Sequence, residues 1–206
     1  LLAVGTLGAA CAAPLGMLRP ASVLHPGAVE IGPGAEAVAP FEPQAPPRQG
    51  FAAGIAPSLN AAFGLGRRFE AGLSVGPAAA SLFGRRQILS GSWDAAVGVA
   101  IDGRFVADAP HLRGASLSAP FVLGSSANGM YFGWLSLAPI AGVYDSDLGG
   151  GALVGAAASI GVRIGAGPIA VAAGLSLLYV RTMPAGGEAV DQLAPVPATA
   201  FVVTLR

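Results

Sequence analysis

The chain has 206 residues, 11 basic and 11 acidic side chains, and a composition that is unusual for a soluble protein. Hydrophobic residues make up 53% of it and charged residues only 11%, whereas soluble domains carry roughly 25% charged residues. Too little polar surface is available to cover a globule in water. Because the net charge is zero, there is no basic excess to neutralise phosphates, and no nucleic-acid partner is expected.

The N-terminal residues are typical of a secretory signal. Residues 1 to 13 are small and apolar, like the end of a signal peptide. Residues 14 to 26 are Pro-rich and aperiodic, which predicts a tether. The remaining residues, 27 to 206, are predicted to form one domain. Cys11 is the only cysteine, so the sequence contains no pair for a disulfide.

Two interpretations of Cys11 remain open. The stretch from Leu7 to Cys11 resembles a bacterial lipoprotein signal, in which the cysteine is lipidated and becomes the mature N-terminus. In the other interpretation, cleavage after Ala12 or Ala13 removes Cys11 with the signal peptide.

From residue 27 onwards, apolar residues alternate with small or charged ones. In one clear example, Trp93, Ala95, Val97, Val99 and Ile101 alternate with Asp94, Ala96, Gly98, Ala100 and Asp102. A period of two is typical of strands with lipid or core on one face and a polar space on the other. The pattern therefore predicts an all-β protein.

Ten segments show this alternation, separated by clusters of turn residues. They cover residues 27 to 39, 50 to 64, 68 to 75, 80 to 90, 93 to 102, 114 to 124, 129 to 141, 152 to 164, 169 to 182 and 197 to 206. Pro33 weakens the first segment because proline cannot donate to a strand ladder. Arg85, Arg86 and Gln87 place polar residues on both faces of the fourth, so eight strands is the alternative count.

Long and tight connections alternate along most of the chain. The longer loops are predicted at residues 40 to 49, 103 to 113, 142 to 151 and 183 to 196. Bacterial barrels have short periplasmic turns, longer extracellular loops and an even number of strands. The sequence therefore predicts an antiparallel, up-and-down transmembrane β-barrel of about ten strands, with both termini in the periplasm.

Residues 27 to 206 resemble the small outer-membrane β-barrel proteins of Gram-negative bacteria. The resemblance rests on the alternation, on the Gly-rich strands, and on the segment from Ala61 to Leu73, which looks like a strand, a tight turn and a strand. It implies integral insertion in the bacterial outer membrane. The partners it implies are outer-membrane lipid, lipopolysaccharide and the barrel-assembly machinery.

The charged rows are predicted to face the lumen, because an arginine facing the bilayer midplane costs about 2–4 kcal/mol. These charges are Glu30, Glu36, Arg68, Glu70, Asp94, Asp102, Arg163 and Arg206. A lumen of eight to ten strands is little wider than its side chains. The charges are therefore expected to pair and plug it, and a narrow ion-conducting pore is the alternative. Phe51, Trp93, Tyr131, Trp134 and Tyr179 are candidates for aromatic girdles at the membrane interfaces, and aromatic residues that fill the lumen are the alternative.

No catalytic, metal or cofactor site is predicted. His111 lies near Asp102 and Asp108, but Leu112 and Arg113 follow it, without the His-x-Ser spacing of barrel lipid-A deacylases. We expect a non-enzymatic protein with a structural or surface-interaction role. Two alternatives remain open: a narrow channel or transporter for small solutes, and a lipid-anchored barrel that binds lipid inside.

Overall fold

A computed structural model describes residues 18–38, 54–77, 79–106, 109–127, 129–145, 149–166 and 168–205. These residues form eleven β-strands. Their bounds are β1 Val29–Val38, β2 Gly54–Gly66, β3 Phe69–Val75, β4 Ala79–Leu89, β5 Asp94–Val106, β6 Ala109–Ser118, β7 Phe121–Ala127, β8 Tyr131–Asp145, β9 Gly151–Ala166, β10 Ile169–Pro184 and β11 Val190–Leu205. None of the described residues forms a helix that is long and apolar enough to cross a membrane.

The strands form one closed antiparallel barrel. Apart from β6 and β7, each strand pairs with its neighbours in chain order, and β1 closes the sheet by pairing with both β2 and β11. Val29 lies opposite Leu205 at the closing seam. Through the middle of the wall each strand position is paired on both sides, so the main-chain donors and acceptors there are satisfied within the wall.

β6 and β7 together occupy one strand position. Both pair with β5 and β8, and their registers are continuous: Ser118 lies opposite Ala100, and Phe121 opposite Val97. Pro120 interrupts the ladder because it has no N–H, yet its carbonyl accepts a hydrogen bond from the Gly98 N–H at 2.9 Å. The barrel therefore has ten strand positions, which confirms the predicted fold class and strand number.

The two ends of the barrel differ. We call one the turn end: it holds the β2–β3, β4–β5, β7–β8 and β9–β10 connections, the first residue of β1 and the last of β11. Apart from the β6–β7 interruption, which lies within the wall, the other connections join strand ends at the opposite end, which we call the loop end. The β2–β3 hairpin has a two-residue turn, in which Arg67 and Arg68 both have positive φ angles of 50° and 64°. Positive φ at both positions is the requirement of the type I′ turns that join twisted strands.

The strands extend further towards the loop end than predicted. β5 continues to Val106 and β6 begins at Ala109, inside the predicted loop 103 to 113. β11 begins at Val190, inside the predicted loop 183 to 196, and pairs there with Thr182. Apolar alternation does not predict these extensions, because the strands continue beyond the apolar part of the wall through polar pairs such as Arg181 and Asp191.

The alternating rows face in the predicted directions. Trp93, Val97 and Ile101 are 57%, 40% and 57% exposed on the outer surface, whereas Asp102 is buried inside. The inward rows are mostly small or polar, and an apolar inner patch is formed by Ala138, Ala157, Leu178, Val180 and Val196. Apolar side chains thus form the outside of the wall, and most inward positions carry glycine, alanine, serine or a charge.

We predict that Gly161→Ala destabilises the barrel. The inward side of Gly161 is covered by the Trp134 indole, which a Cβ would overlap. Overpacking of this kind costs about 1–3 kcal/mol. Gly133→Ala is the matched control, because a Cβ there points outward and meets nothing within 4 Å. Urea unfolding of the detergent-solubilised protein measures both variants, and equal stabilities would contradict the inward position of Trp134.

Candidate functional site

Residues 18–24 run inside the barrel, and residues 25–28 lead from them to β1; we call residues 18–28 the plug. Leu18 and Ala21 form one buried apolar cluster with side chains of four strand positions: Val122, Trp134, Ala172 and Ala198. The plug also contacts β1, β3 and β4 through Arg19. Because this short segment contacts strands all around the wall, it must lie within the lumen.

The last residues of the plug, Gly27 and Ala28, lie at the turn end beside β2. The Gly27 N–H donates to the Gly64 carbonyl at 2.9 Å, and the Gly64 N–H donates to the Ala28 carbonyl at 2.9 Å. A side chain at position 64 would collide with the His25 carbonyl, so glycine is required where the chain turns inward. Residues 18 to 24 are packed against the wall, and the predicted boundary between a tether and the barrel domain stays a prediction.

Arg19 joins two carboxylates of the wall. Its Nη1 lies 2.6 Å from Glu30 Oε1 and its Nε lies 2.8 Å from Glu70 Oε1, although the Nε contact lacks the direction of a hydrogen bond. Its guanidinium carbon is 5.8 Å from the centre of the Phe83 ring. Burial acts to lower the pKa of Arg19, but the attraction of Glu70 and Glu30 outweighs it and leaves that pKa raised.

Glu70 and Arg85 hold the main chain of the plug. The two residues are cross-strand neighbours on β3 and β4, and the Arg85 Nε donates to Glu70 Oε1 at 2.8 Å. Arg85 also donates to the carbonyl of Pro20 at 2.6 Å and that of Ser22 at 3.0 Å. Glu70 Oε2 accepts the Leu24 N–H at 2.9 Å. Main-chain groups that burial would otherwise leave unpaired thus find charged partners in the wall.

The charges form one alternating row. Arg163 on β9 donates to Glu30 Oε2 at 2.6 Å, and Glu30 also binds Arg19. The order across the lumen is therefore Arg163, Glu30, Arg19, Glu70 and Arg85, which we call the charge cluster. Each carboxylate lies between two guanidinium groups, so that neither is a buried charge without a partner.

Three of the predicted lumen charges, Glu30, Glu70 and Arg163, meet in this cluster. Glu36 and Asp102 are buried and face inward, but on the loop-end side of it. Asp94 is partly buried near the turn end and accepts a hydrogen bond from Gln87 at 2.9 Å. Cys11, Phe51 and Arg206 lie outside the described residues, as does the side chain of His111.

Arg68 does not lie where it was predicted, and Trp134 takes the alternative position inside the lumen. Arg68 is exposed in the β2–β3 turn and does not line the lumen, because the turn is centred on residues 67 and 68 and the strand begins at Phe69. Trp134 is only 3% exposed and faces inward. It follows the outward Tyr131 by three positions, an odd number, and therefore lies on the opposite face of β8.

Sequence reasoning missed Arg19 and Arg85. A signal existed for Arg85, since Ser81, Phe83, Arg85 and Gln87 occupy one row. No comparable signal existed for Arg19, because a Pro-rich segment without periodicity does not indicate which residues turn inward.

The geometry is suited to closing the lumen. A cavity of about 30 Å³ adjoins Arg19 and is lined in part by Glu30, Asn60, Phe83 and Arg163. This volume admits a water molecule or two and is too small for a hydrated solute. Among the described residues, no group of three or more His, Cys, Asp and Glu side chains is placed to hold a metal ion.

No protein-family model matches the chain, and no curated protein is similar to it. Function is therefore inferred from the residues and their geometry.

We predict that Glu70→Gln destabilises the protein by about 3–5 kcal/mol, because removing one partner of a buried ion pair leaves the others uncompensated. Arg19 and Arg85 would both lose their shared carboxylate. Glu188→Gln is the matched control, since Glu188 is exposed in the β10–β11 connection. Urea unfolding measures both variants. Equal stabilities would show that the charge cluster does not hold the fold together.

Proposed function

We propose that this protein is an integral outer-membrane β-barrel with a lumen closed by its own N-terminal segment, and that its role is structural or surface-interacting rather than enzymatic. The observation that carries the proposal is the apolar outer surface. On β10, the outward row runs through Ile169, Val171, Ala173, Leu175, Leu177 and Tyr179 without a charge. A water-soluble barrel would expose polar side chains at these positions.

The height of this surface fits a bilayer. The row from Ile169 to Tyr179 spans ten residue steps, which at about 3.3 Å per residue and a tilt of about 40° gives roughly 25 Å. The exposed charges that are described lie near strand ends or in connections. They are Arg67, Arg68 and Arg86 towards the turn end, and Arg113, Asp145, Arg181, Glu188 and Asp191 towards the loop end.

Aromatic residues border the apolar surface. Phe69, Trp93, Tyr131 and Phe201 are exposed near the turn end. Tyr179 is exposed near the loop end, where its hydroxyl donates to Asp191 at 2.7 Å. Aromatic rings with one polar edge favour the headgroup level of membranes. This distribution supports girdles at both interfaces, with lipid and lipopolysaccharide as the surrounding partners.

The orientation proposed places the turn end and both termini in the periplasm, following the arrangement of bacterial barrels. Because the charge cluster and the plug lie within the lumen, they favour a closed lumen rather than an open pore. The alternative of a lipid-binding barrel is disfavoured, because the described inward rows carry charges and hydroxyls while the apolar rows face outward.

Membrane fractionation tests the location. The full chain, with its native signal restored if a longer precursor supplies one, is expressed in a Gram-negative host. The protein is expected in the outer-membrane fraction and should resist extraction at high pH. Release into the supernatant by carbonate would contradict an integral location.

A charge in the middle of the apolar surface provides a sharper test. We predict that Leu175→Arg reduces stability in lipid by about 2–4 kcal/mol, as expected near the bilayer midplane. Leu193→Arg is the control, because Leu193 is also outward and exposed but lies beside Tyr179, near the loop end. Refolding into lipid vesicles under urea titration measures the difference. Equal effects of the two substitutions would show that no bilayer surrounds this surface.

A further inference from the structure

We infer that the lumen is an ion-conducting path that the plug occludes, so that displacing residues 18–24 turns the closed barrel into a channel. The inference rests on the proposed membrane location. A lumen filled permanently by side chains of the wall is a different arrangement, because here the closure is assigned to a segment that is not part of the wall.

The barrel wall is complete without the plug. β1 has two strand partners, β2 and β11, and needs no third. The plug exchanges main-chain hydrogen bonds with the wall only where Gly27 and Ala28 meet Gly64, among the residues described. Its other contacts are made by side chains of the wall or of the plug, and these can separate while the sheet stays closed.

The wall leaves space where the plug lies. Ten strands about 4.8 Å apart and tilted by about 40° give a backbone diameter of roughly 20 Å. Glycines face the plug along its course: a Cβ on Gly174 would lie 2.7 Å from Leu18 Cδ2, and one on Gly124 would lie 3.5 Å from Ala21 Cβ. The space is therefore occupied by the plug itself and would open on its departure.

A row of polar residues leads along the lumen wall to the plug. Asn60, Ser74, Ser81, Asp102 and Ser116 are cross-strand neighbours on five successive strands, and all face inward. We call them the polar belt. The buried Ser81 Oγ and Asn60 Oδ1 have no hydrogen-bond partner among the described residues, and such groups are normally satisfied by water.

The polar belt reaches the occluded point. Asn60 belongs to the belt and also lines the cavity beside Arg19. Beyond Arg19, towards the turn end, the wall carries Glu30, Glu70, Arg85 and Arg163. Without the plug these would be two carboxylates and two guanidinium groups around a polar passage, as in the hydrated interior of porins. The path is thus polar on both sides of the plug.

Arg19 is the side chain that attaches the plug to both halves of the charge cluster. Replacing it with glutamate would place a third carboxylate between Glu30 and Glu70, which repels the plug from the wall. Gly174→Leu displaces the plug by a different physical effect, since the new side chain would occupy the position of Leu18.

The test uses the purified full chain in planar lipid bilayers. The wild type is expected to stay closed, whereas Arg19→Glu and Gly174→Leu are expected to open in discrete steps. We expect the open probability to rise by about tenfold or more, because breaking a buried ion pair shifts such an equilibrium by at least that factor. The controls are Arg181→Glu, an exposed charge near the loop end, and Ala173→Leu, which faces outward one position before Gly174.

Cysteine labelling reports the plug position independently of current. Ala21→Cys, made in a Cys11→Ser background, should resist a membrane-impermeant maleimide because Ala21 is buried. The same cysteine should react once Arg19→Glu is added. Folding of each variant is checked by its heat-dependent migration on gels.

The outcomes separate the two proposals. Folded variants that label at position 21 and remain silent would overturn the conducting path. Folded variants in which the cysteine stays protected and the bilayer silent would overturn the assignment of closure to a displaceable plug. A wild type as open as the variants would overturn occlusion by the plug. Release of the wild type by carbonate would instead overturn the membrane location on which the inference rests.

Discussion

Closure of the sheet between β1 and β11 is the constraint on which the rest of the structure depends. Once no edge remains, the alternation of side chains assigns every residue of the wall either to the outer surface or to the lumen. A register shift of one residue would turn Glu30, Glu70 and Arg163 outward. The apolar exterior and the charge cluster are therefore two consequences of the same register, and neither can change without the other.

A closed lumen must also be filled, and the wall does not fill it alone. Its inward rows are rich in glycine and serine, and its two carboxylates at the turn end need cations as partners. The plug meets both requirements, because Leu18 and Ala21 occupy space while Arg19 lies between Glu30 and Glu70. Buried ions are stable only in such complete sets. Wall and plug are thus complementary in shape and charge, although the strand pairing of the wall does not include the plug.

Period-two alternation was sufficient to predict the fold, the number of strands and the direction of most side chains. It predicted three members of the charge cluster, since Glu30, Glu70 and Arg163 belong to regular rows. It failed at the boundary between a strand and a turn: Arg68 was assigned to the third strand, but it lies in the turn, and the strand begins one residue later. Arg19 could not be found in this way, because its position follows from tertiary packing and the segment has no period of its own.

The plug is held by strands from both the early and the late part of the chain. Gly64, Glu70 and Arg85 bind Gly27, Leu24, Pro20 and Ser22, and all of these residues belong to the first 85 of the chain. A sheet of β1 to β4 is therefore sufficient to hold the plug against its inner face. Apolar contacts with Val122, Trp134 and Ala198 join the plug to the later strands as well, and the pairing most distant in sequence, between β1 and β11, closes the wall around it.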